Sequence, residues 1–270
     1  MSAPRQRLVG MELYSDRPGD SAAFYAWLLG PGSGHEPQDW NPVSLLFSHG
    51  VCGVRRTETG GPSGWVPVIK LDDLEGSQRR MEAAGGRVVT QEGRTYLVDP
   101  DGLWTRVVQG DRIPPDVDPD AVGETNADYY SADSFASAGW WADVLGMERV
   151  EIIGDVDGLN FVIGDRRPAF GTVTFVDQPL VPLAQPSWVV YFAVPDIPLA
   201  VQRAAGVGTG VAIPPSHEEY NDWCVLVDPF GVPFGLSLYY HHELEGLRVN
   251  SPRGEEAFAD AVDLPMEDLP

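Results

Sequence analysis

The segment FYAWLLG at residues 24–30 returns in altered form as WWADVLG at residues 140–146. In each copy an aromatic pair precedes a leucine-glycine pair, and residue numbers 24 and 140 place the copies 116 positions apart. Two further pairs share this offset: Glu12 with Asp128, and Tyr14 with Tyr130. A repeat at a fixed spacing indicates that one folding unit occurs twice in the chain.

The repeat continues downstream at larger offsets, as expected when insertions fall in loops. The segment DPDG at residues 99–102 matches DPFG at residues 228–231. Three pairs between these landmarks are 123 positions apart: Trp65 with Trp188, Asp73 with Asp196, and Gly85 with Gly208. The pattern predicts a duplicated unit of about 115 residues.

Within each half, the hydrophobic pattern predicts strands that alternate with helices. Short alternating runs bounded by turn residues are typical of strands, and apolar-faced segments behind an aspartate are typical of capped helices. One helix is predicted to follow Asp20 as its N-cap, and three more are predicted at Leu74–Ala84, Ser134–Leu145 and Ile197–Ala205. The segment PPSHEEYNDW at residues 214–223 is predicted to be a loop before a strand.

The domain boundaries follow from one change of composition. The segment GDRIPPDVDPDAVGE at residues 110–124 is rich in proline and aspartate, as interdomain linkers are. We therefore expect a first domain over residues 1–112, a linker over 113–123, a second domain over 124–242 and an acidic tail over 243–270.

Composition narrows the classes of function. The 270 residues include 40 acidic and 18 basic side chains, for a net charge of −22. This charge repels phosphate backbones and anionic lipid surfaces, so neither nucleic acid nor a membrane is an expected partner. It supports solubility and would attract a cationic ligand. The two cysteines form no CxxC motif and the start MSAPRQRLVG has no apolar leader, which favours a cytoplasmic protein.

The repeated landmarks resemble the vicinal oxygen chelate superfamily, which includes glyoxalase I, bleomycin-binding proteins and extradiol dioxygenases. The similarity covers about residues 6–242 and rests on the aromatic helix, the Trp65…Asp73…Gly85-Gly86 segment and the DPDG or DPFG turn. It implies an α+β fold of two tandem glyoxalase-like domains, each made of two βαβββ modules in a cupped, mixed sheet with flanking helices. It also implies a pseudo-dimer within one chain, and it leaves open whether two chains dimerise further.

Metal-dependent members of that superfamily hold their ion with His, Gln or Glu side chains in each cup. Three of the four matching positions are Gly10, Val66 and Arg106 in the first half, and Asn126, Val189 and Gly235 in the second. The fourth falls near VCGVRR (51–56) or AFGTVTF (169–175), which contain neither His nor Glu. Catalytic zinc or iron needs about three protein ligands. We therefore expect no metal and no other cofactor, which argues against glyoxalase and extradiol dioxygenase chemistry.

The sharpest candidates for catalysis are Glu12 and Asp128. Each lies two residues beyond a lost ligand position, so strand alternation directs it to the same concave face. A carboxylate in an apolar cup can act as a general acid or base. Arg106 could bind a carboxylate or an enolate oxygen. The alternative for these residues is structural, with Glu12 and Arg106 forming an ion pair.

Histidine and aromatic residues supply the remaining candidates. His217, with the acids that follow it, could act in acid/base chemistry or as a weak metal cluster, and its alternative is a solvated loop. The residues expected to contact a planar substrate are Tyr14, Trp104, Asn126 and Tyr130. The aromatic residues on helices, expected in the core or an interface, are Tyr25, Trp27, Trp140 and Trp141.

Three hypotheses for the function follow. The first is a metal-independent enzyme that acts on a bulky, oxygenated aromatic or polyketide-like natural-product intermediate by general acid/base chemistry: cyclisation, isomerisation, elimination or ring-opening. The second is a binding protein that sequesters a planar drug, as bleomycin-resistance proteins do, without catalysis. The third is a partner-binding role for the acidic tail. The first two differ in whether Glu12 and Asp128 are required for more than binding.

Overall fold

A computed structural model describes residues 7–29, 51–109, 126–146, 149–153, 159–163, 173–177, 186–194, 196–217 and 221–239. These residues form two mixed sheets, one for each predicted domain, with helices packed against them. The predicted linker at 113–123 and the acidic tail at 243–270 lie outside the described residues.

The first domain contains a six-stranded sheet. Its elements are β1 (Arg7–Ser15), α1 (Pro18–Leu29), β2 (Val51–Arg56), β3 (Gly64–Leu71), α2 (Leu74–Ala83), β4 (Arg87–Gln91), β5 (Arg94–Val98) and β6 (Trp104–Gln109). The strand order is β2-β1-β3-β6-β5-β4, with β1 parallel to β2, β3 parallel to β6 and the other neighbours antiparallel.

The second domain repeats this plan in an eight-stranded sheet. Its elements are β7 (Asn126–Ser131), α3 (Ser134–Leu145), β8 (Arg149–Ile153), β9 (Leu159–Ile163), β10 (Val173–Asp177), β11 (Ser187–Ala193), α4 (Ile197–Ala205), β12 (Gly210–His217), β13 (Asn221–Val227) and β14 (Pro233–Tyr239). The order β12-β13-β14-β11-β7-β10-β9-β8 is two βαβββ modules joined by the antiparallel pair β7 and β11. The predicted α+β fold with tandem cupped sheets is confirmed.

Aspartates explain where three of these helices begin. The side chains of Asp73, Asp133 and Asp196 each accept a 2.8 Å hydrogen bond from the backbone N–H three residues later. Helix α1 differs from the prediction, because it begins at Pro18 and places Asp20 inside its first turn. Proline suits that turn because its missing N–H has no intrahelical acceptor there.

The repeated DPxG segments form the turns that lead into β6 and β14. In each turn the first aspartate accepts a 2.8 Å bond from a backbone N–H four residues later, Asp99 from Leu103 and Asp228 from Val232. Gly102 has φ +89° and the matching glycine of the second turn has φ +88°, a conformation that favours glycine. The motif is therefore a turn signal rather than a catalytic one.

One hydrophobic core is shared by both domains. Strand alternation directs one face of each sheet, including Leu13 and Phe234, into a common cluster with the helices. Tyrosines then bond across the domain boundary. The hydroxyl of Tyr25 donates to Asp228 at 2.9 Å, and that of Tyr129 donates to Asp99 at 2.6 Å. Each DPxG turn is thus held by the opposite domain, so the two halves pack as one unit.

One expectation is corrected. His217 is the last residue of strand β12 rather than part of a loop. Prolines within this strand are tolerated because β12 lies at the sheet edge, where a missing N–H breaks no ladder. Strand β8 was not predicted. Trp27 is 46% exposed in this chain, so of the two places expected for it, core or interface, the core does not apply. Finally, none of the described helices is long and apolar enough to cross a bilayer.

Candidate functional site

The faces of the two sheets that point away from the shared core form two separate cups. The N-terminal cup contains the buried cluster Tyr14, Val66 and Tyr96, with Trp104 packed beside it. The C-terminal cup contains the cluster Tyr130, Val189, Tyr191 and Val225, with Trp223 packed beside it. The concave positions predicted for Tyr14, Tyr130 and Trp104 agree with this arrangement.

Glu12 lies at the centre of the N-terminal cup and is fully buried. Its Oε1 accepts hydrogen bonds from Arg55 Nε at 2.9 Å and from Arg106 Nη1 at 2.5 Å. Its Oε2 accepts the hydroxyl of Tyr14 at 2.8 Å. The four side chains come together because β2, β1 and β6 present alternate residues to the same face. The predicted ion pair between Glu12 and Arg106 is therefore present, extended by a second arginine.

A chain of hydroxyls extends from Glu12. The hydroxyls of Tyr14 and Tyr96 are 2.6 Å apart, and since Tyr14 donates to Glu12, Tyr96 donates to Tyr14. The Tyr96 ring also meets Trp104 edge to face, with centroids 5.4 Å apart. Burial, with the nearby Glu12 charge, raises the pKa of Tyr14 far above its usual value. Both hydroxyls therefore stay protonated near neutral pH and act as hydrogen-bond donors.

A cavity opens beside these tyrosines. Its volume is 240 Å³, which suits a ligand of about one ring rather than a large polycycle. Its lining combines both tyrosines with charged and polar residues: Tyr14, Val54, Arg55, Arg56, Glu58, Pro62, Gln91, Glu92, Arg94 and Tyr96. The N-terminal cup thus offers a space next to the Glu12 cluster.

The C-terminal cup holds a related cluster of one carboxylate and two tyrosines. In the N-terminal cup the tyrosine two residues after the carboxylate bonds to it, whereas here the bond to Asp128 comes from Tyr191 on the neighbouring strand. Asp128 is half-buried, and the hydroxyl of Tyr191 hydrogen-bonds with it. The hydroxyls of Tyr130 and Tyr191 are 2.6 Å apart. Burial raises the pKa of Tyr191 well above its usual value, with smaller contributions from Tyr130 and Asp128. Asn126 pairs through its backbone with Tyr191 on the adjacent strand.

One exchange of residues explains why the cups differ. In the first domain Val68 lies opposite Arg106 on paired strands, whereas the equivalent pair in the second domain is Tyr191 and Gly235. A Cβ placed on Gly235 would lie 2.3 Å from the ring of Tyr191. The tyrosine therefore occupies the space that an arginine side chain takes in the N-terminal cup.

The positions that the superfamily uses for metal ligands do not fit a metal here. Val66 and Val189 are buried apolar residues, and Gly235 is covered by an aromatic ring. Arg106 repels a cation and is engaged by Glu12. Among the described residues, no three His, Cys, Asp or Glu side chains come together as an ion site. The donor set of each cup is that of a hydrogen-bonding site.

His217 is not brought to either of these clusters. Its side chain is 78% exposed, and its Nδ1 lies 2.6 Å from a carboxylate oxygen of Asp222. Asp222 and Trp223 are adjacent on β13 and therefore point to opposite faces, and Trp223 packs in the C-terminal cup. The pair of His217 and Asp222 thus lies on the face opposite to that cup. The solvated alternative for His217 agrees with this position.

Sequence reasoning missed three residues of the N-terminal cup: Arg55, Arg94 and Tyr96. The signal for Arg94 and Tyr96 was the two-residue period of a strand, which places both on the same face of β5. The register of the sheet then sets Tyr96 opposite Arg106. Arg55 could not be assigned in this way, because its strand partner depends on the long connection before β2.

Comparison with solved structures identifies the fold. The chain resembles the Mn(II)-bound glyoxalase from Novosphingobium aromaticivorans with a TM-score of 0.53 and 16% identity, covering 87% of this chain and 83% of that one. It resembles the 2,3-dioxygenase LapB from Pseudomonas sp. KL28 with a TM-score of 0.51 and 15% identity, over 87% and 92% of the chains. For the 2,2',3-trihydroxybiphenyl 1,2-dioxygenase from Sphingomonas wittichii strain RW1 the values are 0.51 and 14%, over 88% and 91%.

These likenesses show that the chain has the two-domain vicinal oxygen chelate fold, as the sequence landmarks predicted. At 14–16% identity they extend to the fold alone. No protein-family profile and no curated protein sequence matches the chain.

Proposed function

We propose that the protein is a metal-independent enzyme that binds an oxygenated small molecule in the N-terminal cup and moves a proton on it. The observation that carries this proposal is the fully buried carboxylate of Glu12, held by two arginines and connected to a 240 Å³ cavity through Tyr14 and Arg55, which line it. A buried carboxylate next to cationic groups is an arrangement suited to forming and stabilising an enolate. The cavity size favours a single aromatic or ketide unit at the reacting end of a larger substrate.

The roles of the residues follow from their hydrogen bonds. Glu12 Oε2 accepts the hydroxyl of Tyr14, which lines the cavity. Tyr14 can therefore give its proton to Glu12 as its oxygen takes one from a carbon next to a substrate carbonyl. The carbonyl oxygen then becomes an enolate oxygen, which the charge of Arg106 can stabilise, together with the Tyr96 hydroxyl once it turns its proton from Tyr14 to that oxygen. Return of the proton to another carbon completes an isomerisation. Trp104 supplies an aromatic edge for a planar substrate.

The C-terminal cup is assigned a structural role in this proposal. Tyr191 fills it over Gly235, and no equivalent of Arg106 is present there. We therefore expect one substrate molecule per chain. The catalytic roles predicted for Asp128 and His217, and the substrate contacts predicted for Tyr130 and Asn126, stay predictions.

The test is deuterium exchange from D₂O into the carbon next to the carbonyl in a panel of aryl and polyketide-like ketones, followed by NMR. The wild-type protein should accelerate exchange for some members of the panel. Glu12→Gln should lower that rate by about 100-fold or more while ligand binding is retained. Glu12→Asp, which keeps the charge, should recover part of the rate.

A matched control is Glu75→Gln, since Glu75 forms an exposed pair with Arg79 on α2. This variant should exchange deuterium at the wild-type rate. Equal rates for Glu12→Gln and the wild type would overturn the role of Glu12, as would Asp128→Asn giving the larger loss.

Sequestration without catalysis is the second candidate. It is favoured by the Tyr96 hydroxyl, which stays protonated and can turn its proton from Tyr14 to a ligand oxygen without chemistry. A sequestering protein should retain its ligand in Glu12→Gln and lose it in Tyr14→Ala or Trp104→Ala. It should also leave the deuterium content of every ketone in the panel unchanged.

A further inference from the structure

The mouth of the N-terminal cup has a charge opposite to that of the whole chain. Its cavity is lined by the guanidinium groups of Arg55, Arg56 and Arg94 against the two carboxylates of Glu58 and Glu92. The chain as a whole carries a net charge of −22. In a chain this acidic, a cavity with the average surface composition would be acidic. The excess of arginine around this cavity is therefore a specific feature of the site.

Beneath this lining, Glu12 balances only one of the two guanidinium groups that it joins. Arg55 and Arg106 both donate to the same oxygen, and the four arginines named at the cavity and beneath it exceed the three glutamates by one positive charge. Arg106 is 11% exposed and its buried Nε–H has no acceptor among the described residues. A buried donor without an acceptor is unfavourable, so the positive charge of Arg106 is incompletely compensated by hydrogen bonds.

Arg94 adds a second cation at the cavity wall. It lies two residues before Tyr96 on β5 and therefore on the same face. It pairs at 2.9 Å with Glu92, whose side chain is 63% exposed, and such a pair is readily exchanged for another anion. Arg94 and Arg106 both act on the Tyr96 hydroxyl by lowering its pKa, although burial raises that pKa overall. Both arginines are therefore within electrostatic reach of one hydroxyl.

We propose that the ligand of the N-terminal cup carries an anionic oxygen group, seated against Arg94 and the hydroxyl of Tyr96 at the cavity wall, with the charge of Arg106 behind them. The guanidinium fork suits a planar carboxylate or an enolate, and the Tyr96 hydroxyl can turn its proton from Tyr14 to the ligand. This inference rests on the proposed function, because it specifies the substrate class of the same site. It replaces the cationic ligand that the net charge alone favoured.

The experiment uses three probes of nearly equal shape and different charge: benzoate, benzamide and benzamidinium. Each is titrated into the full chain, and binding is followed by NMR at the indole N–H of Trp104, which reports on the cup itself. Benzoate should bind about tenfold more tightly than benzamide, since charge-assisted hydrogen bonds are stronger than neutral ones. Benzamidinium should bind more weakly than benzamide.

Variants separate the anion site from the fold of the cup. Arg94→Gln should weaken benzoate about tenfold and leave benzamide unchanged, which also shows that the cup is intact. The matched control is Arg79→Gln, an exposed arginine of α2 that should change neither probe. Added salt should weaken benzoate more than benzamide, because screening acts on the charged contact.

The outcomes distinguish this inference from the proposed function. If benzamide or benzamidinium binds as tightly as benzoate, measured by the Trp104 signal, the proposal of an anionic group is wrong. The cup would still be the binding site. No shift of Trp104 with any probe would overturn both. Benzoate binding that depends on Arg94, with unchanged deuterium exchange in Glu12→Gln, would overturn proton transfer alone.

Discussion

Glu12 shows how a single charged residue can be accommodated without any exposure to solvent. Removing a carboxylate from water costs several kcal/mol, and this cost is offset only by close, well-oriented partners. Here two guanidinium groups and a hydroxyl supply them. Loss of one partner would leave an uncompensated buried charge, so the cluster is both a candidate active site and a fixed part of the fold.

The aspartates of the DPxG turns are a second case of buried charge, and they make stability depend on pH. Burial raises the pKa of the Asp99 and Asp228 carboxyls above the usual value of 3.8, although tyrosine and backbone donors oppose the shift. A carboxyl whose pKa is higher in the folded than in the unfolded protein contributes stability at low pH. This contribution is complete below the pKa of the unfolded protein and is lost as pH rises through the pKa of the folded protein.

We therefore predict that Asp228→Asn gains stability relative to the wild type as pH rises from about 4 towards 7, since asparagine carries no charge to bury. The measurement is urea unfolding of both proteins at several pH values in this range. Asp99→Asn should behave in the same way. A difference in unfolding free energy that stays constant with pH would show that these carboxyls are not buried as described.

At the scale of elements, the hairpin that joins β4 to β5 is strained at the edge of the cavity. Its two central residues, Glu92 and Gly93, have φ +49° and +74°, the signs required by a type I′ turn. Asparagine or glycine is the usual residue at the first of these positions, and glutamate there is unfavourable by about 1–2 kcal/mol. The position of Glu92, in contact with Arg94 at the cavity, gives a reason for its presence.

We predict that Glu92→Asn stabilises the protein by about 0.5–1 kcal/mol, because asparagine tolerates the left-handed conformation. Gly93→Ala should destabilise it by about 1 kcal/mol, because alanine disfavours the positive φ of this position. A Cβ on Gly93 meets no atom within 4 Å, so a steric clash does not add to this effect. Chemical denaturation of the two variants measures both effects. Equal stability of both variants and the wild type would contradict the assigned turn.

The limits of sequence reasoning are clear at this scale. Helices α3 and α4 match their predicted bounds, because their aspartate caps and following glycines are local signals. Strand β12 was missed because Pro214 and Pro215 are loop signals, and only its place at the sheet edge makes them tolerable.

The same contrast between local signals and the position of a strand in the sheet applies to the candidate site. Strand alternation placed Glu12 and Tyr14 on one face of β1, because it is a local property of each strand. Arg106 was assigned to the same cup from the ligand positions that the superfamily resemblance implied. The second arginine on Glu12 and the closure of the C-terminal cup depend on which strands become neighbours. No single stretch of sequence contains that information, so both features required the structure.

At the scale of the whole molecule, the shared core and the crossed tyrosine bonds join the two domains energetically. Tyr25 is fully buried and donates to Asp228 of the other domain. Contacts of this kind should make the described parts of both domains unfold together.

We predict that Tyr25→Phe lowers the free energy of unfolding by about 1–3 kcal/mol, because it leaves a buried carboxylate oxygen without its donor. Urea unfolding with hydrogen exchange should show amides of β6 and β14 losing protection together. Tyr129→Phe, the counterpart across the boundary, should give the same pattern. Two separate transitions, or loss of protection in one domain alone, would contradict a shared core.

The exchange of Val68 and Arg106 for Tyr191 and Gly235 has a genetic consequence. In a dimer of identical chains, any substitution appears in both copies, so a tyrosine that seals one cup seals the other as well. Fusion of the two units into one reading frame removes this coupling. One half is then free to accumulate substitutions that strengthen packing, while the other keeps the open, charged chamber on which selection for a ligand can act.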